Sequence, residues 1–167
     1  MRWTAALFGL AAMSLAGTAS ASPMTLSPIA FSPEFQVELD EEIGQREGEY
    51  LRRRVNDAVL DALARRGVDE ADNVAIEISI VDAAPNRPTL QQTRDTPGLD
   101  PFRSISIGGA EQRAVLRSND GRILAEVEHS RYDHSLGDII GPPSTWASAE
   151  RSIRQFARKV AEAYPHN

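Results

Sequence analysis

Residues 73–82 (NVAIEISIVD) constrain the fold more than any other stretch of this chain. Val74, Ile76, Ile78 and Ile80 fall on every second position. A period of two places these four branched side chains on one face of a β-strand. Because a single strand cannot bury its own apolar face, the rest of the chain must supply a sheet and a layer that covers it.

Two segments have the apolar spacing of amphipathic helices. Residues 45–66 repeat apolar side chains every three or four positions, and Gly67 follows in the position of a C-terminal cap. A second helix is predicted to begin after a cap at Ser144 or Thr145 and to end before Pro165. Its apolar stripe consists of Trp146, Ala149, Ile153, Phe156, Ala157, Val160 and Tyr164.

Further strands are predicted from shorter alternating patterns. Residues 35–39 predict a short first strand, and 110–117 and 122–132 flank a Ser-Asn-Asp-Gly turn at 118–121 that is typical of a hairpin. Together with the two helices, these strands predict a two-layer α+β domain. Its sheet has about four strands, is mostly antiparallel, and carries both amphipathic helices on one face.

The N-terminus has the features of a secretory signal. Residues 1–21 combine one basic residue, an apolar run and an Ala-Ser-Ala ending, so we predict a signal peptide there. An extended lead-in at 22–34 and a single domain at 35–164 would follow. The mature protein is then expected to be periplasmic or secreted, soluble after cleavage, and without a membrane span.

Composition excludes several classes of protein. The chain has no cysteine, which excludes disulfides, thiolate metal sites and lipid anchoring through a cysteine after the signal. The net charge of −6 gives the chain no reason to bind nucleic acid. Neither a Gly-x-Ser-x-Gly turn nor a Ser-x-x-Lys pair is present, and no cofactor is implied.

The long connection at 83–104 is the best candidate for a binding surface. It contains four prolines, and a connection of about 20 residues without secondary structure is often a binding loop. Pro85 and Pro88 stiffen a turn that would present Asn86 and Arg87. The Arg87 fork suits a carboxylate or a pair of backbone carbonyls on a ligand, or an acid of the chain itself such as Asp82 or Asp100.

Two other features have both a functional and a structural interpretation. Trp146 at a helix start could stack on a sugar or peptide, but an aromatic on an apolar stripe also fits the core. Gly108-Gly109 enters a strand, whereas phosphate loops leave one, so this pair favours a bulge or a close backbone approach.

A polar cluster near the end of the predicted hairpin provides the enzymatic alternative. His129, Asp133 and His134, with Asp138 nearby, offer imidazole and carboxylate groups of the kind that bind zinc. Their spacing matches no standard metal motif. The alternative hypothesis is therefore a hydrolase or metal-dependent enzyme centred on these residues, against a polar strand end that leads into a solvated turn.

Three short motifs resemble those of an uncharacterised family of small secreted proteins from Gram-negative bacteria. They are a Pro-Asn-Arg-Pro-Thr loop within 84–89, a Gly-Gly-Ala strand entry within 106–110 and a Thr-Trp-x-x-Ala helix start at 145–149. The layout is also similar to bacterial envelope proteins of unknown function, many of them lipid-anchored. The resemblance implies a periplasmic or secreted α+β protein and carries no known activity.

These observations favour a non-enzymatic periplasmic or secreted domain that binds a protein or another component of the cell envelope. The site would be the long connection together with the open sheet face. The oligomeric state does not follow from the sequence.

Overall fold

The computed structural model describes residues 26–68, 74–139 and 144–165. The predicted signal peptide and the first residues of the lead-in lie outside these ranges. In chain order the elements are β1 (Ala30–Phe31), α1 (Pro33–Glu38), a π-helical turn (Leu39–Ile43), α2 (Gln45–Arg65), β2 (Ala75–Ala84), α3 (Leu90–Asp95), β3 (Gly109–Arg117), β4 (Ile123–Tyr132), a 3-10 turn (Leu136–Asp138) and α4 (Ala147–Ala163).

The four strands form one mixed sheet in the order β1-β2-β3-β4. β1 pairs with β2 in parallel, with Ala30 opposite Ser79, and the other two pairings are antiparallel. Helices α2 and α4 pack together against the sheet, so the predicted α+β class is confirmed. The predicted hairpin is confirmed too, and Gly121 has a φ of +83° in its turn.

The core lies between the sheet and the two long helices. The apolar positions of β2 face inward as predicted, and Ile76, Ile78 and Ile80 are at most 3% exposed. The stripes of α2 and α4 meet them, with Leu51, Val55, Val59, Leu63, Ile153, Phe156 and Val160 all buried. Burial of one face on each of these three elements is what fixes the two-layer arrangement.

The opposite face of the sheet is charged. Glu77, Glu126 and Glu128 are exposed there, as expected for an open face. Glu77 forms an ion pair with Arg117 at 3.2 Å, and Glu128 forms one with Arg113 at 2.6 Å.

The predicted strand at 35–39 is wrong, because these residues belong to α1 and the π-helical turn. Ser32 caps α1 by accepting a hydrogen bond from Phe35 N at 3.1 Å, and Pro33 occupies the first turn. Phe35, Leu39 and Ile43 are buried at intervals of four, whereas Val37 is 53% exposed. Phe35 and Leu39 are four residues apart, a spacing that places two side chains on the same face of either a helix or a strand. A pattern of only five residues could therefore not distinguish the two structures.

The first strand is instead the two-residue β1, which lies in the predicted lead-in. No helix among the described residues is both long and apolar enough to cross a membrane.

Candidate functional site

The connection between β2 and β3, residues 85–108, packs against the rest of the domain. The sequence predicted it without secondary structure, but it contains α3. Thr89 caps this helix, since its Oγ1 accepts from Gln92 N at 3.2 Å while Gln92 Oε1 accepts from Thr89 N at 3.0 Å. Thr89 Oγ1 also donates to the carbonyl of Ile43 at 2.8 Å, which attaches α3 to the π-helical turn.

Asn86 is completely buried and joins three segments of the chain. Its Oδ1 accepts from Ser148 N at 2.8 Å, and its Nδ2 donates to the carbonyl of Ser106 at 3.3 Å. Its backbone N donates to the carbonyl of Thr145 at 2.7 Å, and its carbonyl accepts from Ser106 N at 2.9 Å. Asn86 therefore supplies the side-chain cap that α4 lacks at its own N-cap residue, Trp146.

Gly108 and Gly109 leave space at the junction, the place where the three chain segments meet around Asn86. A Cβ on Gly108 would lie 2.6 Å from Asn86 Nδ2, and one on Gly109 would lie 2.4 Å from the carbonyl oxygen of Arg131. These distances are too short for any side chain at either position. The pair thus serves a close approach of chain segments, which is one of the two roles that the sequence favoured.

Arg87 contacts the far side of its own connection. Its Nη1 donates to the carbonyl of Phe102 and lies 3.4 Å from the carbonyl of Pro101. The sequence had offered either a ligand or an acid of the chain, such as Asp82 or Asp100, as the partner. The observed partners include two backbone carbonyls of the loop, a pairing that the planar guanidinium accommodates well.

A cleft of about 490 Å³ lies between α3, the two prolines and the end of the connection. This volume is within the usual range of ligand sites. The cleft is lined by apolar and small polar side chains with three carboxylates, namely Glu41, Glu42, Ala84, Pro85, Pro88, Gln92, Asp95, Thr96, Leu99, Ser104, Ile105, Ser106 and Ile107. Ile105 and Ile107 remain 43% and 45% exposed, although both are large and apolar.

The cleft is negatively charged. Glu41, Glu42 and Asp95 are all exposed at its rim, and no Lys, Arg or His is among the described residues that line it. The acidic surface continues beside it at Glu38. Burial raises the pKa of the Glu38 carboxyl, and the charges of Asp82 and Glu42 raise that pKa further.

Tyr132, the last residue of β4, lies beside this acidic surface. Its hydroxyl donates to a carboxylate oxygen of Asp82. Burial, followed by this hydrogen bond, raises the pKa of Tyr132 well above its usual range. The phenol therefore stays protonated and acts as a hydrogen-bond donor, not as a base.

Trp146 is part of the core. Its side chain is only 3% exposed, and Nε1 donates to Glu47 Oε2 at 2.7 Å. This bond satisfies the polar end of the indole and ties the start of α4 to α2. Of the three binding candidates that the sequence named, Asn86, Arg87 and Trp146, each is thus engaged within the domain.

His129, Asp133 and His134 do not converge. No group of three or more His, Asp or Glu side chains within the described ranges is placed to hold a metal ion. Asp133 is buried, accepts from the Ser148 hydroxyl and pairs with Arg151 at 3.2 Å. His134 is exposed in the turn that follows β4.

His129 lies on β4 opposite Gln112. Burial and the nearby charge of Lys159 lower the pKa of its imidazole, as expected for a half-buried histidine close to cationic side chains.

The chain was compared with protein-family models, curated proteins and solved structures, and none of the three comparisons gave a match. The cleft is therefore the feature of the described structure that bears most directly on function.

Only some of the residues that line the cleft could be identified from the sequence. Pro85, Pro88 and Leu99 lie in the connection that the sequence singled out. Glu41 and Glu42 belong to a different segment and are over 40 residues away from this connection along the chain. The alternation of Ile105, Ser106 and Ile107 before Gly108 was the available signal for an exposed extended segment.

Proposed function

We propose that this protein is a non-enzymatic binding domain of the periplasm or the extracellular space, and that its binding site is the cleft of the β2–β3 connection. The observation that carries the proposal is the cleft itself, with exposed Leu99, Ile105 and Ile107 beside three carboxylates. Apolar surface left exposed next to polar groups is typical of sites for ligands and partners.

The rigidity of the cleft supports a binding role. The buried side chains of Asn86 and Thr89 hold the connection at its base, and Arg87 holds its far end. A preformed site loses little conformational entropy on binding. The secretory pattern of residues 1–21 and the resemblance to secreted proteins of Gram-negative bacteria support the compartment.

Site-specific photo-crosslinking in the producing cells tests the proposal. The full chain carries a photoreactive amino acid at Leu99 in the cleft or, as a matched control, at Ile123 near the hairpin at the other end of the sheet. These positions are 36% and 47% exposed, so both are accessible. We expect discrete adducts from position 99 that are absent from position 123. Equal adducts from both positions, or none from position 99, would contradict the proposal.

A further inference from the structure

Three large apolar side chains that remain exposed line one cavity. Leu99, Ile105 and Ile107 are 36%, 43% and 45% exposed, and all three border the cleft of the β2–β3 connection beside Pro85 and Pro88. The cleft is concave, whereas a protein interface of standard size spreads its contacts over about 800 Å² on each partner. The cavity therefore favours a small molecule with an apolar part over a folded protein.

The rim of the cleft is acidic where the π-helical turn and α3 form it. Glu41 and Glu42 come from the turn, Asp95 is the last residue of α3, and all three are exposed. No Lys, Arg or His is among the described residues that line the cleft. A ligand that enters the cleft therefore meets apolar side chains and a negative charge that no cation of the described lining offsets.

The negative charge extends from the rim onto the neighbouring surface. Burial raises the pKa of the Glu38 carboxyl, and the charges of Asp82 and Glu42 raise that pKa further, so these three groups act on one another. Glu111 lies opposite Asp82 in the β2–β3 pairing. We call the following carboxylates the acidic stripe: Glu38, Glu41, Glu42, Asp82, Asp95 and Glu111. Within the described ranges, none of them takes part in an ion pair.

A row of carboxylates without cationic partners favours a ligand that carries more than one positive charge. Carboxylates that lie together repel one another, and a bound cation relieves this repulsion. One amine would neutralise only part of the acidic stripe, whereas several amines on one chain can lie along it. The same repulsion disfavours an apolar ligand with an anionic head.

We infer that the cleft binds a cationic amphiphile, a small molecule in which an apolar chain is joined to a head of two or more amino groups. The apolar chain lies in the cleft against Leu99, Ile105 and Ile107, and the ammonium groups of the head lie against the acidic stripe. This inference rests on the proposed binding function and names the ligand class for the same site.

Isothermal titration calorimetry with the full chain tests the inference. The probe is N-octanoyl spermine, which joins an eight-carbon chain to three free amines. Spermine carries the charge without the chain, and octyl glucoside carries a chain of the same length without charge. Each compound is used below the concentration at which it forms micelles. We expect N-octanoyl spermine to bind at least about tenfold more tightly than either of the others, because it alone contacts both the cleft and the acidic stripe.

A triple variant tests the position of the charges. Removal of the rim charges should weaken binding of N-octanoyl spermine about tenfold, since three exposed charges each contribute modestly. This variant is Glu41→Gln, Glu42→Gln and Asp95→Asn. The matched control removes three exposed charges from the long helices and the open sheet face, as Asp57→Asn, Glu126→Gln and Glu162→Gln. It has the same net charge and should change the affinity by less than about twofold, because distant charges are screened by salt.

A single substitution tests the apolar part of the site. Ile107→Ser should weaken binding of N-octanoyl spermine about fivefold, because it removes apolar surface that the chain of the ligand covers. Binding of spermine should stay the same. Ile123→Ser is the matched control, since Ile123 is 47% exposed and lies outside the cleft.

The outcomes separate this inference from the proposed function. Equal affinity for spermine or for octyl glucoside would overturn the amphiphile, and equal weakening by the two triple variants would overturn the site. Adducts from position 99 with the added mass of a protein, without binding of N-octanoyl spermine, would overturn this inference and leave the proposed function standing. Absence of both adducts and binding would end both proposals.

Discussion

The base and the tip of the β2–β3 connection differ in how far their side chains are buried. At its base, Asn86 and Thr89 are buried and every polar group of their side chains is bonded inside the domain. At its tip, residues 97–103 lie mostly in solvent, and Phe102 is 83% exposed. The base determines where the tip and the cleft lie, whereas the tip contributes little to folding. A single connection can therefore hold the exposed side chains of the cleft in place without burying them.

The largest effect on stability is expected at Asn86. Replacement by Ala removes the cap of α4 and one bond to Ser106, and it leaves the buried Ser148 N–H without a partner. We expect a loss of about 2–4 kcal/mol in the free energy of unfolding, measured by urea denaturation. Asn56→Ala on α2 is the control and should change stability little. A loss as small as that of the control would show that the junction is not important for folding.

Gly108→Ala should have the next largest effect. The added Cβ would overlap the Asn86 carboxamide, so we expect a loss of about 1–3 kcal/mol in the free energy of unfolding. Gly137→Ala is the control, because among the described residues its Cβ would approach only Ser135 Oγ, at an ordinary contact distance of 3.5 Å.

A double-mutant cycle sharpens this prediction. In the Asn86→Ala background the overlap is absent, so the cost of Gly108→Ala should fall by at least half. Strict additivity of the two changes would contradict the contact.

Thr89→Val should cost about 1–2 kcal/mol in the free energy of unfolding, because the change removes the hydroxyl that bonds both Ile43 and Gln92. Thr93→Val, which changes a hydroxyl on the exposed side of α3, is the control. Chemical denaturation gives the stabilities, and amide exchange in α3 should rise only in the Thr89 variant. Unchanged exchange in α3 would show that other contacts hold the helix in place.

Removal of the Glu38 charge, on the acidic surface beside the cleft, is expected to stabilise the folded protein slightly. Since the pKa of Glu38 is raised by folding, the folded state holds the proton more tightly than the unfolded chain. The cost of ionised Glu38 is absent below the ordinary pKa and fully present above the raised one. Glu38→Gln should thus raise the melting temperature by about 1–2 °C at pH 7 and leave it unchanged near pH 3. A gain that is equal at both values would contradict the linkage, and Glu126→Gln is the matched control.

The smallest effect on stability is expected at the tip. Phe102→Ser should change the free energy of unfolding by less than about 0.5 kcal/mol, since the side chain is largely in solvent. The contact with Arg87 uses the carbonyl of Phe102, so it remains in the variant. A loss comparable to that of Asn86→Ala, measured by the same denaturation, would remove the distinction between base and tip.

Long periodic patterns were sufficient to predict most of the fold. The alternation of 74–80, the stripes of 45–66 and 147–163, and the turn at 118–121 each carry enough repeats to define one structure. The strand predicted at 35–39 failed because five residues cannot distinguish a period of two from one of four. The capping of α4 by Asn86 could not be predicted either, because nothing near residue 86 in the sequence indicates a contact with residue 148.

The sequence by itself determined the two-layer class, the charge of the chain and the place of the unusual connection, because these depend on composition and local periodicity. Tertiary structure alone decided the roles of individual residues. It buried Asn86 and Trp146, turned Arg87 onto its own loop, and brought Glu41 and Glu42 to the cleft from a distant segment. The physical reason is that burial and charge at a site depend on which segments meet, and local patterns do not encode those meetings.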